Sequence, residues 1–226
     1  MSASSLSRRS TWIPVWASLV VLVASGAYLA VRWTDLPARW VIHWGPGGVP
    51  NGWATRTWPG VFGPLLIALS VSVVLEVIAR LAIRGRVARD RTLEPLVAPT
   101  VDLVRLIAIA VALLFSALAI MLPLGPHLAP ITMVLAAISL IGVAALIGGV
   151  RVSRALASVR AADPKRFEGY SGLGYSNPKD SRLFVPKLMG MGWTINFAHR
   201  LAWPILALLL GVPLLAAVVG IVVARH

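Results

Sequence analysis

VFGPLLIALSVSVVLEVIARLAIRGRVARDR, residues Val61–Arg91, carries one charge, Glu76, between Val61 and Ala79 and then breaks into a basic block. A helix needs about twenty apolar residues to cross about 30 Å of hydrocarbon, and Val61–Ile83 supplies them. Four further runs have the same character: Trp12–Val31, Leu103–Leu122, Ile131–Val150 and Leu201–Val223. The chain of 226 residues is 58% hydrophobic with a mean hydropathy of +0.83, far above the share a soluble domain tolerates. Basic residues divide sharply between alternate connections. Two lie at Arg8 and Arg9, six from Arg80 to Arg105 and nine from Arg151 to Arg200, against Arg32, Arg39, Arg56 and Arg225 on the other side. The positive-inside rule makes the rich side cytoplasmic. The expectation is an all-α polytopic membrane protein with five transmembrane helices, N-terminus in, C-terminus out, and a small cytoplasmic β-hairpin-like insertion.

The net charge of +13 would suggest nucleic acid in a soluble chain. Here membrane topology accounts for it, with basic residues at helix ends where anionic headgroups lie, and no nucleic-acid partner is expected. The absence of cysteine excludes disulfides and thiolate chemistry. Arg8-Arg9 before an apolar run could also open a signal peptide, even a twin-arginine one. The run continues to Val31 with Trp12 and Trp33 at its ends, which favours a retained span. Arginine in excess of lysine, with abundant alanine and valine, suggests a bacterial chain, hence a multi-pass protein of the bacterial cytoplasmic membrane.

Four regions follow. Residues 1–83 hold two spans and the outer loop 32–60; 84–150 hold a basic, Pro-containing connector and a helical hairpin; 151–200 are cytoplasmic; 201–226 form the last span. The outer loop contains five of nine tryptophans, Trp33, Trp40, Trp44, Trp53 and Trp58, around a turn-rich Gly45–Gly52. Such rings should lie against headgroups or cap the bundle. Inside, Val152, Leu156 and Val159 keep helical spacing and extend the fourth helix or place it on the membrane surface. Gly169–Gly174 and Asn177-Pro178 break regularity. Arg182–Lys187 and Trp193–Phe197 then read as two strands joined through a Gly-containing connector, a β-hairpin whose apolar face covers the mouth of the bundle.

The outer loop runs Leu36-Pro37-Ala38-Arg39-Trp40-Val41-Ile42-His43-Trp44, then Gly48-Val49-Pro50-Asn51-Gly52-Trp53. It resembles the extracytoplasmic domain of SdpI-type bacterial membrane proteins, which sets Leu-Pro, His-aromatic and Gly-x-Pro-x-x-Trp in this order after the first transmembrane helix. Tyr175–Lys187 with Gly190–Phe197 looks like a second domain, of unassigned biochemistry, found beside the first. The resemblance implies a family whose best-known relative is an immunity protein that protects a cell from its own toxic peptide and signals to a transcriptional repressor. Five helices and the inner segment depart from that relative's pattern. It points to Pro37, His43, Trp44, Pro50 and Trp53 for an amphipathic peptide or the lipid surface outside. For a regulatory protein inside it points to Asn177, Asp180, Arg182, Phe184, Pro186, Lys187, Trp193 and Asn196.

Other candidates have plainer readings. His43, His127 and His226 are three imidazoles on one side, but nothing at fixed spacing joins them, so no metal is expected. A hydrogen bond from His43 that fixes the turn outweighs pH sensing. Glu76, the one acid deep in a span, pairs with Arg80 one helical turn on in preference to lining an ion or proton path. Asp102 and Arg105 suit the start of the third helix without further role. Ala144/Gly148 and Ala145/Gly149 permit close helix contact, and Gly211 with Pro213 should kink the fifth helix. No nucleophile with its base, paired acids or metal cluster stands at workable spacing, so neither an enzyme nor a cofactor is expected. Peptide binding with signalling or immunity leads; a transporter or permease accessory subunit is the alternative. Oligomeric state is open.

Overall fold

A computed structural model describes residues 11–45, 48–125, 130–171, 174–188, 192–209 and 211–212. In chain order these form helix α1 (Ala17–Val31), strands β1 (Arg39–Trp44) and β2 (Pro50–Thr55), helix α2 (Trp58–Arg89) and a 3-10 turn (Arg91–Leu96). Helices α3 (Val97–Leu124) and α4 (Pro130–Ala162) follow, then short strands β3 (Tyr170–Ser171), β4 (Gly174–Tyr175), β5 (Phe184–Pro186) and β6 (Trp193–Ile195). A last helix, α5, is described over 202–209 and 211–212. Three stretches, Trp58–Arg89, Arg91–Leu124 and Leu135–Ala162, are long and apolar enough to cross a bilayer, which marks the chain as a membrane protein.

Several boundaries differ from the sequence reading. α1 begins at Ala17, not Trp12, and has 15 residues, a rise of about 22 Å. The lead-in Thr11–Trp16 is not helical, because its backbone groups bond to α3. The expected connector 84–100 is mostly helix. α2 runs on to Arg89, capped at its start by Thr57 Oγ1 accepting from Gly60 N–H at 3.3 Å, and α3 starts at Val97. The outer loop holds more than turns: β1 and β2 make an antiparallel hairpin, and with the inner hairpins this takes the fold out of the strictly all-α class. His127, His226, Pro213 and the rest of the expected fifth span lie outside the described residues.

The helices meet through small side chains. Ala108, Ala112, Ser116 and Ala119 line one buried stripe of α3, and Ala68 of α2 is wholly buried in the same cluster as Ala112. Lipid chains are as apolar as leucine, so close backbone approach supplies the attraction that water would supply to a soluble bundle. At the α3–α4 crossing a methyl placed on Gly148 would lie 2.8 Å from Leu103 Cα, whereas one on Gly149 would meet nothing within 4 Å. We expect Gly148→Ala to lower stability by about 1–3 kcal/mol through overpacking, with Gly149→Ala neutral or slightly stabilising; thermal unfolding of the two variants in detergent checks the difference.

β1–β2 sits on one end of this frame. Trp40 is buried among Leu29, Leu36, Val61, Leu65 and Ala119, so the hairpin is seated on α1, α2 and α3. The other end carries the basic residues. There Ala155, Leu156 and Val159 of α4 are buried against Leu93, Leu96 and Phe167, with Val152 buried one turn earlier, in a continuous extension of α4 and not a helix lying flat. Arg166 also pairs with Asp90, which ties the chain beyond α4 to the turn between α2 and α3.

Candidate functional site

Three constructions of residues stand out along the frame. The first is the β1–β2 hairpin. Its irregular register pairs His43 with Gly52 and Trp44 with Pro50, while Gly48 turns the chain at φ +78°. A Cβ on Gly52 would lie 2.8 Å from His43 Cβ, so glycine is what admits the histidine beside the strand. His43 Nδ1 lies 2.5 Å from Asn51 Oδ1, and since the carboxamide oxygen accepts, Nδ1–H donates. This bears out the turn-fixing reading of His43. Arg39 lies 4.3 Å over the Trp53 ring, and Arg56 donates to the Thr34 and Leu36 carbonyls at 3.2 and 3.1 Å, closing the hairpin base. Trp33, Trp58 and Phe62 form a ring stack, with Trp58 and Phe62 centroids 4.8 Å apart. Trp44 is half-buried, and Pro37, His43, Pro50 and Trp53 are exposed, with Ile42 and Val49 beside them. The tryptophans thus divide: Trp40 anchors the hairpin, Trp33 and Trp58 stack with Phe62 at the start of α2, and Trp44 and Trp53 lie on the hairpin's outer part.

The second is a polar junction at the basic end, which the sequence reading dissolved into separate pairs. Glu76 accepts from Arg80 Nε at 2.7 Å, as expected, and also from Arg105 Nη2 at 2.8 Å and Nε at 3.2 Å. Arg105 further donates to Thr11 Oγ1 at 3.0 Å and to the Ile13 carbonyl at 2.7 Å. Asp102 is 1% exposed; it accepts the Trp12 and Ile13 backbone N–H groups at 3.4 and 3.3 Å and lies 3.5 Å from Arg151. Arg151 in turn covers the Trp12 ring at 4.8 Å. Asp102 and Arg105 therefore do more than decorate a helix start, since they lie inside α3 and hold the lead-in to α1. At about 1.5 Å per residue, the stretches Trp58–Glu76 and Arg105–Leu124 each rise about 28 Å, so each helix has nearly a hydrocarbon thickness of about 30 Å on one side of these charges. A cleft of about 20 Å³ beside them, bordered by Ser72, Glu76 and Arg105, has room for about one water molecule.

The third is the fold between α4 and α5. Asn196 is wholly buried and is its centre. Its Nδ2 donates to the Asn177 and Asp180 carbonyls, each at 2.9 Å, and its Oδ1 accepts from Asn177 N–H at 3.0 Å and Ala198 N–H at 3.2 Å. Asp180 is gripped by Arg182 Nη2 at 2.7 Å and Nε at 2.9 Å and accepts the Tyr175 hydroxyl at 2.8 Å. The Arg182 guanidinium holds the Asp180 carboxyl well below the usual carboxylate range, and the carboxylate raises Arg182 in return. Burial pushes the Tyr175 and Tyr170 hydroxyls up, Tyr175 further through its bond to Asp180. Tyr170 O–H donates to the Pro186 carbonyl at 2.9 Å, and its ring meets that of Tyr175 edge-on at 4.7 Å. Gly169 takes φ +85° where a Cβ would strike Tyr175 and Asn177 at 2.8 Å.

The expected β5–β6 hairpin is present, with Phe184 opposite Ile195, Val185 opposite Thr194 and Pro186 opposite Trp193. Directly opposed residues share a face, and alternate residues share it too. Phe184, Pro186, Trp193 and Ile195 therefore stand on one face, with Val185 on the other. Val185 is wholly buried while Phe184 and Trp193 are 51% and 64% exposed. This corrects the expectation that the hairpin's apolar face covers the mouth of the bundle: Phe184 and Trp193 on that face are exposed, and it is the opposite face, with Val185, that is buried. Of the eight residues singled out in this segment, Asn177, Asp180 and Asn196 are engaged in the fold's own hydrogen bonds; Phe184, Lys187 and Trp193 are exposed, as is Arg182 beyond its bond to Asp180. Among the described residues no three His, Asp or Glu side chains cluster as metal ligands would.

A family model described as a domain of unknown function (DUF1648) matches residues 20–69, which span α1, the β1–β2 hairpin and the start of α2. A second, described as a family of unknown function (DUF5808), matches residues 178–203, from the Asp180 turn through β6 to the start of α5. No curated protein and no solved structure matches the chain.

Proposed function

We propose that this chain crosses a bacterial cytoplasmic membrane five times, N-terminus in and C-terminus out, and answers a membrane-active peptide as an immunity or signalling protein of the SdpI type. The outward aromatic rim of β1–β2 meets the amphipathic peptide, and the β3–β6 fold meets a regulatory protein inside. One observation carries the reading: the outer hairpin is seated on α1, α2 and α3, the inner fold packs against the far end of α4, and the polar junction joins the α1 lead-in, α2, α3 and α4 between them. Trp40 sits on the α3 stripe, and the Asp102–Arg151 pair links α3 to the helix whose far end supports β3–β6. A peptide that shifts the hairpin thus bears on helices that the junction links to the support of the inner fold. The asymmetry of basic residues supports the orientation.

A transporter accessory role draws support from the cleft at Glu76, but that carboxylate is held by two arginines and the cleft takes about one water, so this stays the second reading. Trp44→Ala combined with Trp53→Ala is expected to abolish protection against the peptide in cells, since buried tryptophans at interfaces are each worth about 2 kcal/mol or more. A strain lacking the protein should be hypersensitive in a screen of membrane-active peptides. Unchanged sensitivity in that strain rules the immunity reading out.

A further inference from the structure

The outward face of β5–β6 carries Phe184 and Trp193, both more than half exposed, beside half-buried Pro186 and Ile195. An exposed aromatic face on a two-stranded ribbon is costly in water. Its surroundings say what covers it. Six residues beyond β6 the chain enters α5, whose Trp203, Leu208 and Leu209 are 64%, 65% and 60% exposed. The Phe197 and Trp203 rings lie 6.0 Å apart, so the aromatic surface at the ribbon's end is continuous with the apolar surface of α5. Exposed Lys187 and Arg200 flank it. Tryptophan and phenylalanine beside basic residues, at the mouth of an apolar helix, is the composition of a membrane–water boundary.

We infer that the β5–β6 face is a lipid-binding surface: Phe184 and Trp193 enter the headgroup–acyl boundary of the leaflet that α5 enters, and Lys187 and Arg200 take anionic headgroup phosphates. The inference rests on α5 entering a bilayer, as in the proposed function, but not on which leaflet it is or on any peptide. It explains the second matched segment, residues 178–203, in physical terms, as a small fold, locked by Asn196, that holds an aromatic ribbon against the membrane at the root of the last helix.

The chain has no cysteine, so a single one can be placed at will. Phe184→Cys and, separately, Trp193→Cys and Lys179→Cys, each labelled with an environment-sensitive fluorophore in the full chain, are reconstituted in nanodiscs of phosphatidylcholine with phosphatidylglycerol. Phe184 and Trp193 both face outward, so the labels leave the buried Val185 side undisturbed; Lys179, 84% exposed, is the aqueous reference. Probes at 184 and 193 should be quenched by nitroxide-labelled lipid and protected from iodide, the reverse of 179. Charge reversal at Lys187 and Arg200 should reduce the preference for phosphatidylglycerol quencher over phosphatidylcholine quencher by about fivefold per residue. Iodide quenching at 184 and 193 as strong as at 179 would overturn the proposal. So would protection found only in native membranes, which would make the occupant a protein. Loss of peptide protection in the Trp44/Trp53 variant leaves these readings unmoved, so the two proposals fail separately.

Discussion

Asn196→Ala is expected to unravel the fold between α4 and α5 while leaving α1–α4 assembled. The side chain is wholly buried and satisfies four backbone groups drawn from three places: the N–H and C=O of Asn177, the C=O of Asp180 and the N–H of Ala198. Truncation orphans all four. A buried unsatisfied donor or acceptor costs about 1–3 kcal/mol, so even with water entering the space the loss should exceed about 3 kcal/mol. That is more than strands of two and three residues can absorb. Asn196→Asp should be no better, since it keeps the acceptor and turns a charged oxygen towards two carbonyls. Hydrogen exchange read by mass spectrometry should show residues 174–200 exchanging orders of magnitude faster in either variant, with α3 unchanged. Wild-type protection across that segment would remove Asn196 from the centre of the fold.

The other large effect belongs to the polar junction. Asp102→Ala removes the acceptor for the Trp12 and Ile13 N–H groups and leaves Arg151 without its carboxylate; Arg105→Ala removes two bonds to Glu76 and two to the lead-in. Arg151 is 41% exposed and Glu76 keeps Arg80, so the loss comes chiefly from the hydrogen-bonding groups left without partners, at about 1–3 kcal/mol for each buried one. Asp102→Asn retains shape and one acceptor and should fall between. The two alanine variants share the Thr11–Ile13 segment, so their double variant should lose less than the sum. Thermal unfolding in detergent measures the loss, and a cysteine at the buried Ile13 position should become reactive to a water-soluble thiol reagent when either anchor is gone. Additive effects with no change in reactivity would mean that the two anchors act on separate elements.

Apolar periodicity and run length are local properties, and they made α2, α3 and α4 legible in the chain. Lipid tolerates no unpaired backbone, so a run of that length has few alternatives to a helix. The alternation at Trp193, Ile195 and Phe197, a local property too, made β6 legible. The outer hairpin was less visible, because glycine and proline masked its pairing. Gly52 is there to admit His43, a demand that arises only once the two strands are side by side. Glu76 with Arg80 could be read from spacing within one helix. Its bond to Arg105, 29 residues away, could not.

From the order of residues alone came a membrane protein, the presence and order of its long helices, the short inner hairpin and the segregation of its basic residues, because hydropathy and charge act on each segment separately. Only the tertiary structure decided that Asp102 and Arg105 hold the start of the chain, that Asn196 is spent inside the fold, and that Phe184 and Trp193 turn outward. Those outcomes depend on which polar groups find partners across helices and on which side chain of a ribbon fits a gap. Such matches are made between segments far apart in the chain, and no segment carries them by itself.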